Sequence, residues 1–178
     1  MCLRDVQLAS QYEKRRTSET WYALRYAGAS LDYRTFSGSN VLINASDNED
    51  SDPEVVRVIL EKMKSSCSAK EFTSIVNYRL KASTVKWKVL YFVSKNLNRT
   101  GLSKSGLMYA MSLWPGTTAL NIAAWRGDVE IVKILLENGA DPCVENDLGM
   151  NALDICEKFG PFPSVKRALL ENVNNKKV

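Results

Sequence analysis

The chain has 178 residues, 45% hydrophobic and 25% charged, with a formal net charge of +4. That balance is ordinary for a globular protein with a core and excludes a disordered or collagen-like polymer. The sequence holds no histidine, which excludes Ser–His and Cys–His nucleophile pairs and imidazole metal ligands.

Residues 1–16 carry Arg4, Asp5, Glu13, Lys14, Arg15 and Arg16. This charge pattern predicts an N-terminal extension and contains no apolar run long enough for a secretory signal. Residues 19–26 predict a helix, and 28–38 a loop ending in Gly38. Asn40, Leu42 and Ala45 then mark a short helix, and Asp52-Pro53-Glu54 opens another, with proline tolerated in the first turn. Between them lies an acidic stretch over 47–54. Its spacing lacks the central glycine and closing glutamate of a calcium loop and reads as a solvated loop. Ser46 and Ser51 precede acidic residues, a pattern that acidophilic kinases accept.

The middle, 61–115, predicts one helix over about 69–79, a second over about 84–98 and an enlarged loop over 99–115. On the second, Val85, Val89, Leu90, Phe92, Val93 and Leu97 share an apolar face, with Trp87, Lys88, Tyr91 and Lys95 opposite. No acidic residue occurs over 72–127, which holds Arg79, Lys81, Lys86, Lys88, Lys95, Arg99, Lys104 and Arg126, interleaved with Tyr78, Trp87, Tyr91 and Tyr109.

Residues 116–142 have the clearest pattern. Gly116-Thr117-Thr118-Ala119-Leu120-Asn121-Ile122-Ala123-Ala124 leads to Gly127-Asp128, and 129–136 follows as a helix with Ile131, Leu135 and Val132, Leu136 on one face. Asp128 is placed to cap that helix and Gly139 to end it in a left-handed conformation. A step of 33 residues brings Gly116 onto Gly149, Leu120 onto Leu153, Ala123 onto Cys156, Gly127 onto Gly160 and Leu136 onto Leu169 without a gap. Gly28 through Gly38 align likewise with Gly139 through Gly149.

These residues resemble the ankyrin-repeat family, whose repeat runs G-x-T-P-L-H-x-A-A-x-x-G-H, a helix, then G-A-D. The resemblance implies an all-α solenoid of about four helix-turn-helix units joined by β-hairpin-like loops. The units expected are a partial one at 17–37, then 38–66, a degenerate or enlarged one at 67–115, then 116–148, a capping unit at 149–172 and a tail at 173–178. Asn121, Asp154 and Ile43 stand where the family has histidine, and Ala119, Ala152 and Val41 where it has proline. Lys158, Lys166, Arg167 and Glu171 are expected to give the last unit a polar outer face.

The resemblance further implies a non-enzymatic protein-binding module, a scaffold, adaptor or inhibitor, with no cofactor and no metal. Its contact positions on the concave face and loop tips carry over to Phe36, Trp114, Trp125, Arg126, Leu148, Lys158 and Phe159. The competing expectation for these aromatics is packing against the enlarged middle loop or against one another. An alternative partner is nucleic acid or an anionic membrane surface, held by Lys86, Lys88, Lys95, Arg99 and Lys104 with the interleaved aromatics. Cys2, Cys67, Cys143 and Cys156 include no CxxC pair, a scatter that fits a reducing, cytoplasmic setting, with a nuclear one left open. Cys143 and Cys156 are expected to be packing residues. A monomer is expected.

Overall fold

The computed structural model describes residues 34–47, 52–101, 106–160 and 162–175. Among these are nine helices and no strand beyond one isolated bridge, Arg34 to Asn40. They are α1 (Val41–Asp47), α2 (Pro53–Ser66), α3 (Ala69–Val76), α4 (Val85–Arg99), α5 (Gly106–Leu113), α6 (Ala119–Arg126), α7 (Val129–Glu137), α8 (Ala152–Phe159) and α9 (Pro163–Asn175).

Local chemistry sets most helix ends. Asn40 Oδ1 accepts from the Ile43 amide at 2.8 Å, and Asp52 Oδ1 from the Glu54 amide at 2.9 Å. Thr118 Oγ1 accepts from Asn121 and Asp128 Oδ1 from Ile131, so α6 and α7 each begin on a capped amide. Asn151 and Asp154 form a reciprocal capping box at the start of α8. Gly127, at φ 77°, ends α6 in the left-handed region, and Gly139, at φ 86°, follows α7 as expected.

The helices stack in two layers. First helices α1, α6 and α8 pack side by side, α6 between the other two; second helices α2, α7 and α9 pack in the same order behind them. Leu42, Leu60, Leu120, Leu135 and Leu169 are each at most 1% exposed and join in one continuous core. Burying a side chain of this size stabilises by roughly 1.5–3 kcal/mol before entropy is counted.

Short turns precede each first helix. One spans 35–38, closed by the Gly38 amide on the Thr35 carbonyl at 3.0 Å. Another spans 114–117, with Pro115 second and Gly116 (φ 76°) third, as a type II turn requires. The last spans 146–149. We call these fingers 1, 2 and 3.

The middle segment differs from expectation. Residues 67–115 supply no helix pair between the first two units, because α1 packs directly on α6 and α2 on α7. The segment instead enlarges finger 2. Leu80 donates to the Thr117 carbonyl at 2.8 Å and accepts from the Gly116 amide at 2.9 Å, and the helical hairpin α4–α5 lies between these two paired segments of chain. The helix expected to reach residue 79 stops at Val76, where the Asn77 side chain donates to the Gly139 carbonyl and accepts from the Asp141 amide. The loop expected over 99–115 contains α5.

The expected apolar face of α4 is split, with Leu90 and Leu97 half-buried and the rest exposed. Tyr91 and Ser94 are buried and Trp87 is half-buried, whereas Val85, Val89, Phe92 and Val93 face solvent. The physical reason lies in what α4 meets. Its inner face lies against polar finger backbone, where the Tyr91 hydroxyl donates to the Ser37 carbonyl at 3.3 Å. A valine face has no hydrogen bond to offer there.

Other expectations change as well. Cys143 is exposed rather than packed. Ser46 is fully buried and donates to the Leu42 carbonyl, out of reach of a kinase. The tail expected from residue 173 is helical to Asn175. The N-terminal extension, the partial unit up to residue 33, Ser51, Lys104 and residues 176–178 lie outside the described residues.

Candidate protein-binding site

On the side of the stack formed by the first helices and fingers lies an apolar cleft with a cavity of about 20 Å³. Finger 2 contributes Trp114, α6 contributes Asn121, Ile122 and Trp125, and α8 contributes Ile155 and Phe159. Trp125 is 36% exposed at its rim. Helical spacing explains the convergence: Asn121 and Trp125 are one turn apart on α6, as Ile155 and Phe159 are on α8. The two helices are neighbours in the first layer.

Asn121 is the chemically unusual member. Its residue is 1% exposed, and neither Oδ1 nor Nδ2 has a hydrogen-bond partner. Leaving such atoms unpaired costs about 1–3 kcal/mol. It occupies the histidine position of the resembled repeat, which marks it in sequence; its lack of a partner is visible only in the structure.

Trp114, Trp125 and Phe159 therefore come together. The other residues expected at the site lie elsewhere. Phe36 stands at the tip of finger 1, 67% exposed, and Leu148 lies half-buried in finger 3. Arg126 is committed to the fold: its guanidinium donates to the Asp47 carbonyl at 3.1 Å, closing the end of α1. The Lys158 ammonium lies 5.2 Å from the Tyr109 ring centroid, and the Tyr109 and Phe159 rings are 5.9 Å apart. Phe159 thus meets both expectations, packing on Tyr109 of α5 and lining the cleft.

A second, open pocket of about 340 Å³ lies between finger 2 and α4. Lys81, Lys88 and Lys95 line it, together with Arg79, which pairs with Asp147 at 2.9 Å. Of the expected basic patch, Lys88 and Lys95 reach this pocket, while Lys86 and Arg99 lie outside it on α4 and are exposed. The aromatics interleaved with these cations in sequence are largely turned inward. The Tyr78 hydroxyl donates to the Gly38 carbonyl, and Trp87 packs on Tyr91 with centroids 5.5 Å apart. Burial pushes the Tyr91 phenol up to about 12, against a smaller opposing effect of its hydrogen bond at Ser37.

Among the described residues no group of three or more His, Cys, Asp or Glu side chains is placed to hold a metal. Burial raises the Cys156 thiol, favouring the neutral form of a packed sulfur. No described helix is long and apolar enough to cross a membrane.

Two-layer helix pairs joined by fingers, with a cleft across the first helices, define a helical-repeat protein. The ankyrin repeat family model matches residues 116–147, which span finger 2, α6 and α7 and run into finger 3. The chain thus carries one detected ankyrin repeat, over residues 116–147. Comparison with curated proteins gives no match. Proteins carrying this repeat typically use it to bind other proteins rather than for catalysis.

Proposed function

We propose that the chain is a non-catalytic adaptor, scaffold or inhibitor that holds a segment of another protein in the first-helix cleft. The carrying observation is the convergence of Trp114, Trp125 and Phe159, from three separate elements, around the unpartnered Asn121 amide. Large aromatics at a partly exposed cleft are the residue type that dominates binding energy in protein interfaces. A partner that reaches the cleft floor would give this amide the hydrogen bond the fold does not supply, after a small side-chain shift that opens the buried atoms to it. Phe36, Leu148 and Lys158 serve as outlying contacts, while Arg126 acts through the fold by holding α1. In this reading the repeat units are 38–66, 116–148 and 149–172, and 67–115 is an insertion in finger 2. A monomer in the cytoplasm or nucleus is part of the same reading, from the scatter of thiols.

The test is affinity capture by the full chain from cell extract at high salt, with identification by mass spectrometry. Trp125→Ala and Asn121→Leu should each weaken retention of the captured protein roughly tenfold or more. Asn121→Leu should melt no lower than the wild type, because it removes two unpaired polar atoms. Undiminished capture by both variants would sink the reading.

A further inference from the structure

The outer face of α4 is an apolar feature, among the described residues, that the repeat stack does not use. Val85, Val89 and Phe92 are 74%, 55% and 69% exposed, and Val93 41%. Their spacing of four, three and one residues puts them on one stripe of a helix. Cations border both sides. Lys86 lies on one flank, and Lys88, Lys95 and Arg99 on the other, with no acidic residue anywhere over 72–127. Phe92, Lys88 and Lys95 also line the 340 Å³ pocket beside finger 2, so stripe and pocket are one continuous surface. Among the described residues none of Lys81, Lys88 and Lys95 pairs with a carboxylate, and the pocket's acid, Asp147, is held by Arg79.

We propose that this surface is a second binding site, distinct from the first-helix cleft, for an acidic amphipathic segment of a protein partner. Its apolar side chains would cover the stripe from Val85 to Phe92, and its carboxylates would meet Lys88, Lys95 and Lys81. Charge complementarity selects the occupant: a stripe ringed by unpaired cations repels a basic helix and favours an acidic one. A helix laid in such a groove is read through apolar anchors one turn apart. A nucleic-acid strand would need exposed rings to stack on, and Trp87 and Tyr91 face inward. A bilayer would be met by tryptophan or tyrosine at the interface, and the stripe presents valines and one phenylalanine beside a concave pocket.

The experiment is selection of phage-displayed random peptides of about 16 residues, long enough for some four helical turns, on the full chain. Peptides that win should carry Asp or Glu beside large apolar residues at helical spacing and should bind less tightly as salt rises. Their synthetic copies should bind Val89→Ser/Phe92→Ser and Lys88→Ala/Lys95→Ala variants roughly tenfold or more weakly. None of these four side chains makes a hydrogen bond or ion pair with a described residue, and circular dichroism checks that both variants stay folded. Trp125→Ala should leave the affinity unchanged. Winning peptides without acidic enrichment, or equal binding to wild type and both α4 variants, would overturn the proposal. Loss with Trp125→Ala but not with the α4 variants would move the peptides to the first-helix cleft; the second site would then fail while the reading above stands. Tighter retention on phosphatidylserine-containing vesicles or a single-stranded thymidine oligonucleotide, lost in the α4 variants, would overturn it in favour of those surfaces.

Discussion

Helices α7 and α4 belong to one chain and treat their apolar residues in opposite ways. In α7, Ile131, Val132, Ile134, Leu135 and Leu136 are all buried, packed between α2 and α9. In α4, which is longer, only Tyr91 and Ser94 are buried, and four large apolar side chains face water. The difference follows from neighbours. A helix in the second layer of the stack is flanked on two sides, whereas α4 pairs chiefly with the shorter α5. What the stack buries stabilises the fold. What the insertion leaves exposed is surface available for recognition, since exposed apolar patches of this kind mark contact sites more often than accidents.

The widest separation should come from matched truncations. Leu135→Ala removes a fully buried side chain from the centre of the second layer. It should cost about 2–5 kcal/mol by transfer and cavity formation together, read as a lower urea midpoint. Phe92→Ala removes a larger side chain that is mostly solvated, and should cost within about 0.5 kcal/mol. Comparable losses for the two would mean that the α4 stripe is covered in solution, and the contrast would collapse.

A smaller effect should appear where the two regions touch. Gly38 sits at φ 98°, and a Cβ added there would collide with the Lys81 carbonyl. No other residue type fits this contact, because both the backbone conformation and the space demand glycine. Gly38→Ala should therefore cost on the order of 1–3 kcal/mol. Hydrogen exchange should localise the loss to residues 78–83 and α4, leaving α7 and α9 protected. Uniform deprotection would mean that insertion and stack unfold as one unit.

The same contrast governs how much could be seen in the sequence. Gly116 through Leu136 announce their structure because every signal there is local: capping by Thr118 and Asp128, a left-handed Gly127, and one apolar face. The position of 67–115 was not legible, because a helix pair between units and a hairpin outside them have the same helical periodicity. Only the direct packing of α1 on α6 separates the two. Of the six residues that spacing puts on the apolar face of α4, Val85, Val89, Phe92 and Val93 face solvent while Leu90 and Leu97 are half-buried, since hydrophobic spacing identifies a face without saying what covers it. At the candidate site, Trp114, Trp125 and Phe159 were foreseeable from repeat positions. Arg126 was not separable from them, because its bond to the Asp47 carbonyl spans distant residues.

Tyr91 offers the finest test, because it fastens the insertion to finger 1. Burial raises its phenol from 10.0 to about 12, so the folded state holds the neutral form where an unfolded chain would already be ionised. The sign follows directly. The stability that depends on the neutral phenol is fully present below about pH 10 and declines as pH rises toward about 12. Lysines titrate in the same window, so the informative quantity is the difference between the wild type and Tyr91→Phe. The variant loses one hydrogen bond, worth about 0.5–1.5 kcal/mol, at neutral pH. It should lose less additional stability than the wild type on going to alkaline pH, because it has no phenol to ionise. Tyrosinate absorbance should show one group titrating late in the wild type and missing from the variant. Parallel declines for both proteins would mean that Tyr91 is solvated and that the Trp87–Tyr91 face does not anchor the insertion, leaving α4 free to turn its valine stripe inward.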